Sequence, residues 1–391
     1  MNIYINYILY VGAIFSLLLY IIGRYKNKFS KKYFSLLLGI LFTYIVGTLI
    51  GFLKGISLNN SQEFIYNDLL KSAVFPLTLV FAGIMSKVRN IKYTKKIILL
   101  LGFMFSVIIF INKFLGIIAP GNLIKASTVQ LYNLSFVGFF GLYLLSKKYH
   151  KNIARFIILL SWLTALLSLA KWNFIPVIIF PFLWIIIETK KINIKKRLIF
   201  CFVILIIFAS LIFNLRNNIV EFASNGHYNS FNSYWRSRVI TENSLKNEEI
   251  RTGGRIKIWS DLLQQFSKSP ISGVGLGARP TFLNVEDHNM FIFFLVRFGI
   301  LLFSIMMIFL LILILHILRC PTVNKTNRLI LFTLFLYFFF SASIGSCFGQ
   351  IINGLTIGGI VGIIINPRNA DILIKNKNDK LNKKNIIHPT R

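Results

Sequence analysis

The sequence predicts an all-α polytopic membrane protein with about eleven transmembrane helices, in a range of about ten to twelve, and one long external loop. Hydrophobic residues fill 55% of the 391 positions, the mean hydropathy is +0.69, and 39 Phe stand beside only 12 Asp and Glu. A water-soluble domain of this size does not have such a composition. The apolar residues also fall into runs long enough to cross about 30 Å of hydrocarbon. The apolar surface is therefore expected to face lipid.

The predicted spans follow one another with short connections. Each run is close to the length that a helix needs to cross a bilayer at about 1.5 Å per residue. The first run has neither a basic leader nor a small-residue cleavage site, so we expect a retained span. The runs are 3–23, 33–53, 69–86, 97–118, 128–146, 153–170, 174–188, 198–214, 299–318, 329–347 and 349–366.

Short basic clusters between the runs predict the orientation of the chain. All of them fall on one side of the membrane if the runs alternate, and basic loops stay on the cytoplasmic side. We therefore expect a cytoplasmic C-terminus and an external N-terminus. Topology explains the net charge of +32 better than a nucleic-acid partner does. The clusters are 24–32, 87–96, 147–155, 190–197, 319–328 and 368–391.

The runs divide the chain into four regions. Residues 1–214 form a predicted bundle of about eight spans, and residues 291–367 form about three more. Between them, residues 215–290 form a large external loop that holds more than half of the acidic residues. A basic cytoplasmic tail occupies 368–391. Long loops without a functional reason are uncommon, so we expect the polar chemistry in 215–290.

Metal and disulfide chemistry has no sequence support. Cys201, Cys320 and Cys347 lie in or beside apolar segments, with no pairing pattern. No Cys or His residues stand at metal-ligand spacing. We therefore expect no disulfide framework, no bound metal and no cofactor.

Arg255 follows two glycines and opens a short amphipathic helix in the loop. Five apolar residues after it recur at helical spacing. We expect this helix to lie on the bundle or on the membrane surface, with Arg255 at its start. The residues are Ile258, Trp259, Leu262, Leu263 and Phe266.

A glycine-rich turn comes next. Ser269 and Pro270 end the helix, and Gly273, Gly275 and Gly277 alternate after them. Glycine permits a tight turn and also lets the backbone approach a ligand or another helix closely. Both interpretations are open, because a lone G-x-G-x-G pattern is weakly specific.

A polar triplet, Asp287, His288 and Asn289, leads into the next long apolar run. Asp287 is the predicted N-cap, and His288 is expected in the first turn, where free N–H groups favour anions. Gly299 lies eleven residues after His288 and would share its helix face, so that a neighbouring helix could pack closely there. His288 is either an interfacial hydrogen-bonding residue or a functional one.

Several cations lie on the external side, where the positive-inside rule disfavours them. Arg251 and Arg279 are candidates to bind an anionic ligand, because a guanidinium binds phosphate oxygens in bidentate fashion. Lys171 lies between two apolar runs on the same side. Arg297 is out of phase with His288, so we expect it to snorkel or to pair within the structure.

Together these elements resemble the O-antigen ligase and polymerase family. The shared pattern is G-G-R-x-x-x-W, then S-P-x-x-G-x-G-x-G, then D-H-N, nine residues and Gly299, and it covers about 250–320. The resemblance implies a GT-C-like, metal-independent glycosyltransferase in a bacterial cytoplasmic membrane. Its implied donor is an undecaprenyl-diphosphate-linked oligosaccharide, its acceptor a lipid-linked repeat unit or lipid A-core, and a flippase and a chain-length regulator are possible partners.

The resemblance also implies residue roles. His288 would activate the acceptor hydroxyl, and Arg255 would bind the donor diphosphate. A second family arginine corresponds at best to Lys171, which cannot bind in bidentate fashion. The ligase pattern fails at Leu302, which favours the polymerase. Beside Lys171, the other candidate substrate-binding residues of the loop are Arg251, Arg279, Asn289 and Trp259, and the candidate structural residues are Gly273, Gly275, Gly277, Gly299 and Asp287.

Three other functions fit parts of the sequence. An O-antigen ligase would join the glycan to lipid A-core by the same chemistry. A flippase or transporter also suits many spans, but it usually carries charges inside its spans. A structural subunit would use the loop only as a docking surface, and substitutions of His288 and Arg255 would then be tolerated.

Overall fold

The structure is a computed structural model that describes residues 28–86, 128–167, 174–188, 255–280, 289–320, 323–344 and 351–366, with isolated helical positions at 100, 104, 199 and 203. The regular structure of these residues is entirely helical, as predicted. The helices are α1 Lys28–Ser57, α2 Gln62–Met85, α3 Thr128–Ser146, α4 Lys151–Leu167, α5 Phe174–Glu188, α6 Arg255–Ser267, α7 Met290–Leu318, α8 Lys325–Ile344 and α9 Ile351–Ile365.

Four of the described helices, α1, α2, α7 and α8, are long and apolar enough to cross a membrane. Shorter apolar stretches lie in α3, α5 and α9. Many large apolar side chains on the outer faces of these helices are exposed, as lipid contact requires. The chain is therefore a multi-pass helical membrane protein. The runs 3–23, 97–118 and 198–214 lie wholly or mostly outside the described residues, so the number of spans stays a prediction.

The connection between α1 and α2 is shorter than the sequence indicates. The hydropathy pattern places a connection at 54–68, but α1 ends at Ser57 and α2 begins at Gln62. The polar residues near the start of α2 interrupt the hydropathy without breaking the helix, and Ile65 and Leu69 are buried at helical spacing. The predicted connection is wrong, and Asp68 lies inside a helix.

Small residues bring α9 against α2. Gly354, Gly358 and Gly362 stand four residues apart on one face of α9. A Cβ atom at Gly358 would collide with the backbone oxygen of Thr78, and one at Gly362 with that of Ala82. This spacing of small residues lets helix backbones approach closely in a membrane. Replacing these glycines with larger residues would push the two helices apart.

Aromatic packing joins α3 to α5 and α8. The ring centroids of Phe139 and Phe180 are 5.0 Å apart, and those of Phe136 and Tyr337 are 5.1 Å apart. At the far end of α3, Ser146 Oγ lies 2.8 Å from Oδ1 of Asn327. The end of α3 thus meets the start of α8, so the two helices run antiparallel.

Candidate functional site

The helix α6 lies on the bundle. It begins at Arg255, as the apolar periodicity predicts, and it buries Ile258 and Leu262. These two side chains form a small core with Ala278 and Val296, and Val296 belongs to the first half of α7. Trp259 packs against this core and is partly buried. The packing ties the helix that carries Arg255 to the first turns of α7.

The N-cap of α7 is Asn289. Its Oδ1 accepts hydrogen bonds from the backbone N–H groups of Phe291, at 2.9 Å, and Ile292, at 3.1 Å. The predictions that Asp287 is the cap and that His288 lies in the first turn are both wrong, because the helix begins after them. Asn caps as well as Asp, and Asn289 is the last polar residue before the apolar run. His288 therefore directly precedes the cap.

Gly299 breaks α7. Its φ of 80° and ψ of 166° are not helical, and side chains rarely tolerate them. The predicted continuous face between His288 and Gly299 is therefore wrong. A Cβ atom at Gly299 would collide with the backbone oxygen of Ile271 and would lie 2.6 Å from the backbone nitrogen of Gly273. The backbone of the preceding loop occupies the space.

That loop, which we call the glycine segment (residues 269–280), replaces hydrogen bonds that the break removes. The backbone N–H of Val274 donates to the oxygen of Val296 at 2.8 Å. The N–H of Ile300 donates to the oxygen of Pro270, also at 2.8 Å. Two groups beside the break in α7 therefore find partners in the glycine segment. The break and the segment form one structural unit.

The glycine segment also lies directly on α1. The backbone N–H of Leu276 donates to the oxygen of Gly51 at 2.7 Å. Gly273, Gly275 and Gly277 all have positive φ. A Cβ atom at Gly275 would lie 2.6 Å from the backbone nitrogen of Gly55. Close backbone packing thus accounts for the G-x-G-x-G pattern within the described residues.

Asp68 of α2 is the anchor of this unit, and the sequence reasoning missed it. It is 1% exposed. Its carboxylate accepts from Nε of Arg297 at 2.5 Å, from Nη1 of Arg279 at 3.0 Å, and from the backbone N–H of Gly277 at 2.8 Å. One carboxylate therefore fixes the glycine segment to α2 and α7. Its sequence signal is a rare acidic residue in a largely apolar helical stretch.

Arg297 pairs inside the structure and does not snorkel. It is 1% exposed, and its Nη2 donates to the oxygen of Ala278 at 2.9 Å. Its guanidinium also lies 4.1 Å from the centre of the Phe293 ring. A charge in a transmembrane helix is costly unless it is paired in this way. The prediction of structural pairing is confirmed.

Among the described residues that contact the glycine segment, cationic side chains outnumber acidic ones. The single carboxylate of Asp68 meets two guanidiniums. Lys54, in the last turn of α1, donates to the hydroxyls of Ser269, at 2.7 Å, and Ser272, at 2.5 Å. These contacts satisfy the ammonium without cancelling its charge. The described part of the site is therefore electropositive.

The candidate residues divide into two groups. Arg255, Trp259, Arg279, Asn289 and the four glycines lie in the unit formed by α6, the glycine segment and the first half of α7. In this unit Arg279 Nη1 and Asn289 Oδ1 already bond within the protein. Lys171, Arg251, Asp287 and His288 lie outside the described residues.

Comparison with protein-family models gives no match, and no curated protein is significantly similar to the chain. The resemblance to the ligase and polymerase family is therefore still a prediction from the residues that carry it.

Proposed function

We propose that this protein is a membrane glycosyltransferase that transfers a glycan from undecaprenyl diphosphate to an acceptor sugar at the external face of a bacterial cytoplasmic membrane. One observation carries the proposal. Three successive pieces of the motif, 255–267, 269–280 and 289–299, pack as one unit. The helix that starts at Arg255 and the helix capped by the residue after His288 belong to that unit. A base and a cation on one rigid support suit a group transfer.

The proposed reaction is a single displacement. A hydroxyl oxygen of the acceptor attacks the anomeric carbon of the donor while the bond from that carbon to the diphosphate oxygen breaks. His288 takes the hydroxyl proton, and Arg255 with Lys171 stabilises the charge on the departing diphosphate. The configuration at the anomeric carbon is inverted. Cationic side chains replace a metal here, so activity is expected to persist in chelator.

The charge around the glycine segment supports an anionic donor. Among the described residues at the glycine segment, Lys54, Arg279 and Arg297 stand beside the single carboxylate of Asp68. Such a surplus raises the local concentration of a diphosphate. Because Arg279 and Arg297 are bound to Asp68, their role in the proposal is to hold the glycine segment in place and to contribute to the positive electrostatic potential at the site. Direct contact with the donor is assigned to Arg255 and Lys171.

The acceptor decides between two products. A lipid-linked repeat unit as acceptor makes the enzyme a polysaccharide polymerase, and lipid A-core makes it an O-antigen ligase. We favour the polymerase, because the ligase pattern that follows Gly299 fails at Leu302. The two reactions share the same donor chemistry and the same residues.

The test replaces His288 with Ala in the native strain and compares the surface polysaccharide on a gel with that of the wild type. Arg255→Ala is expected to give the same loss. His316→Ala and Lys257→Ala are matched controls, since His316 lies near the other end of α7 and Lys257 lies on the exposed side of α6. Membrane abundance is measured for every variant, so that loss of protein is separated from loss of activity.

The pattern on the gel identifies the reaction. Loss of long chains, with one repeat still on lipid A-core, indicates a polymerase. Bare core together with long lipid-linked polymer indicates a ligase. An unchanged ladder with normal protein abundance would mean that His288 has no catalytic role, and the proposed mechanism would then be rejected.

A further inference from the structure

The glycine segment contacts α7 well inside that helix, away from the N-terminal start of the helix at Met290. It bonds to Val296 and Ile300, which are six and ten residues after Met290. At about 1.5 Å per residue these contacts lie about 9–15 Å along the helix from its start. The contact with Gly51 lies six residues before the end of α1, again about 9 Å inward. Both of these helices are long and apolar enough to span a membrane.

Several backbone groups of the segment pair with other parts of the protein. Irregular backbone at membrane depth is tolerated only where its polar groups find partners in the protein. Here helices α1, α2 and α7 and the end of α6 supply them. The paired groups are the oxygens of Pro270, Gly273, Leu276, Ala278 and Arg279 and the N–H groups of Val274, Leu276 and Gly277. These groups do not depend on water for their hydrogen bonds, which suits a position inside a membrane.

Large apolar side chains face outward at this depth. Ile271 is 68% exposed, and Ile300 and Leu301 of α7 are 51% and 57% exposed. Because the Pro270 oxygen bonds to the N–H of Ile300, Ile271 lies beside the exposed surface of α7. The exposed side chain of the segment therefore continues the apolar surface that α7 presents to lipid.

The helix α6 also has exposed apolar side chains along one side. Ile256 is 50% exposed and Leu263 is 40% exposed. The two residues are seven apart and share a face, which adjoins the partly buried Trp259 and Phe266 on the helix. The opposite face is polar and includes Gln264. The apolar arc of α6 is therefore wider than the bundle covers, which is typical of a helix at a membrane interface.

We propose that residues 255–280 form a membrane-embedded re-entrant hairpin, in which Ile256, Leu263 and Ile271 contact lipid acyl chains of the leaflet that the N-terminal half of α7 occupies. The ligand is the hydrocarbon of the bilayer itself. The inference goes beyond the proposed reaction and does not depend on it. It replaces the expected water-exposed loop, over these residues, with a structure inside the membrane.

The test measures the reactivity of single cysteines in a background without Cys201, Cys320 and Cys347. Ile271→Cys and the matched control Gln264→Cys are reconstituted in vesicles of phosphatidylethanolamine and phosphatidylglycerol. A charged, membrane-impermeant maleimide added to both sides should modify the control at least about tenfold faster, because a charged reagent enters hydrocarbon poorly. After denaturation in detergent the two rates should be equal.

A second measurement distinguishes lipid from protein cover. A fluorophore attached at residue 271 before reconstitution should be quenched by lipids with brominated acyl chains, and the same fluorophore at residue 264 should be quenched less. Equal maleimide rates in intact vesicles would refute the embedded hairpin. Protection of residue 271 without quenching would also refute it, since protein would then cover Ile271. Both measurements are independent of transferase activity, so they stand if the proposed reaction fails.

Discussion

Asp68→Asn should be among the most damaging single substitutions in the described part of the chain. The carboxylate receives three donors, from Arg279, Arg297 and the backbone of Gly277. Asparagine keeps the shape and can still accept through its one oxygen, but it removes the negative charge that two guanidiniums share. Breaking a buried ion pair by removing one partner costs about 3–5 kcal/mol. The loss of two charged hydrogen bonds, at about 1.5–3 kcal/mol each, gives a similar figure.

The assay is equilibrium unfolding by SDS in mixed micelles, followed by circular dichroism. Glu63→Gln is the matched control, since Glu63 is an exposed acid in the first turn of the same helix. Its effect should stay within about 0.5 kcal/mol. Adding Arg297→Met to Asp68→Asn should recover part of the loss, because it removes a buried charge whose carboxylate partner at residue 68 is already gone. A loss below about 1 kcal/mol for Asp68→Asn, or no recovery in the double variant, would refute this account of the cluster.

Two further predictions concern backbone strain and a buried charge. Gly299→Ala should lower the free energy of unfolding by about 1–3 kcal/mol or more in the same micelle assay. The φ of 80° at Gly299 disfavours a side chain, and the loop backbone fills the space that a Cβ atom would need. Gly359→Ala is the control and should cost much less, because only a Phe81 ring atom, 3.3 Å away, approaches its added carbon. Lys147→Met should raise the thermal midpoint at pH 7. Burial lowers the pKa of the Lys147 ammonium, and its Nζ has no hydrogen-bond partner in the described structure. Below the lowered pKa the folded protein must keep a partly buried charge, which reduces the free energy of unfolding. The gain should shrink as the pH rises through the lowered pKa toward the ordinary value near 10.5, and exposed Lys151→Met should show no such gain at pH 7.

Local sequence patterns predicted the helices well where each helix is continuous. The apolar runs 128–146 and 174–188 coincide with α3 and α5. The start of α6 and its buried residues Ile258 and Leu262 also follow from apolar periodicity alone. Hydropathy and periodicity depend only on neighbours along the chain, and in these elements the neighbours decide the conformation.

The same patterns failed where a distant segment decides the conformation. The break at Gly299 requires the glycine segment, which fills the space and bonds to the groups that the break exposes. Helix periodicity assumes an unbroken helix, so it placed Gly299 on the face of His288. Hydropathy averaging likewise assigned Asp68 to a connection, because a buried carboxylate lowers the average like an exposed one. Its burial depends on two arginines more than two hundred residues away in the chain.

The structure separates the residues that resemble the ligase and polymerase family into two kinds. Gly273, Gly275, Gly277 and Gly299 are explained by backbone packing, since a Cβ atom at any of them would meet another part of the protein. The proposal assigns the cation at the start of α6 and the histidine directly before the N-cap of α7 a role in the reaction instead. The two kinds of substitution should therefore fail differently. Glycine variants should lose folded protein from the membrane, and Arg255 and His288 variants should keep the protein and lose the product. Proteins altered at His288 that were also absent from the membrane would point to a structural role for that histidine.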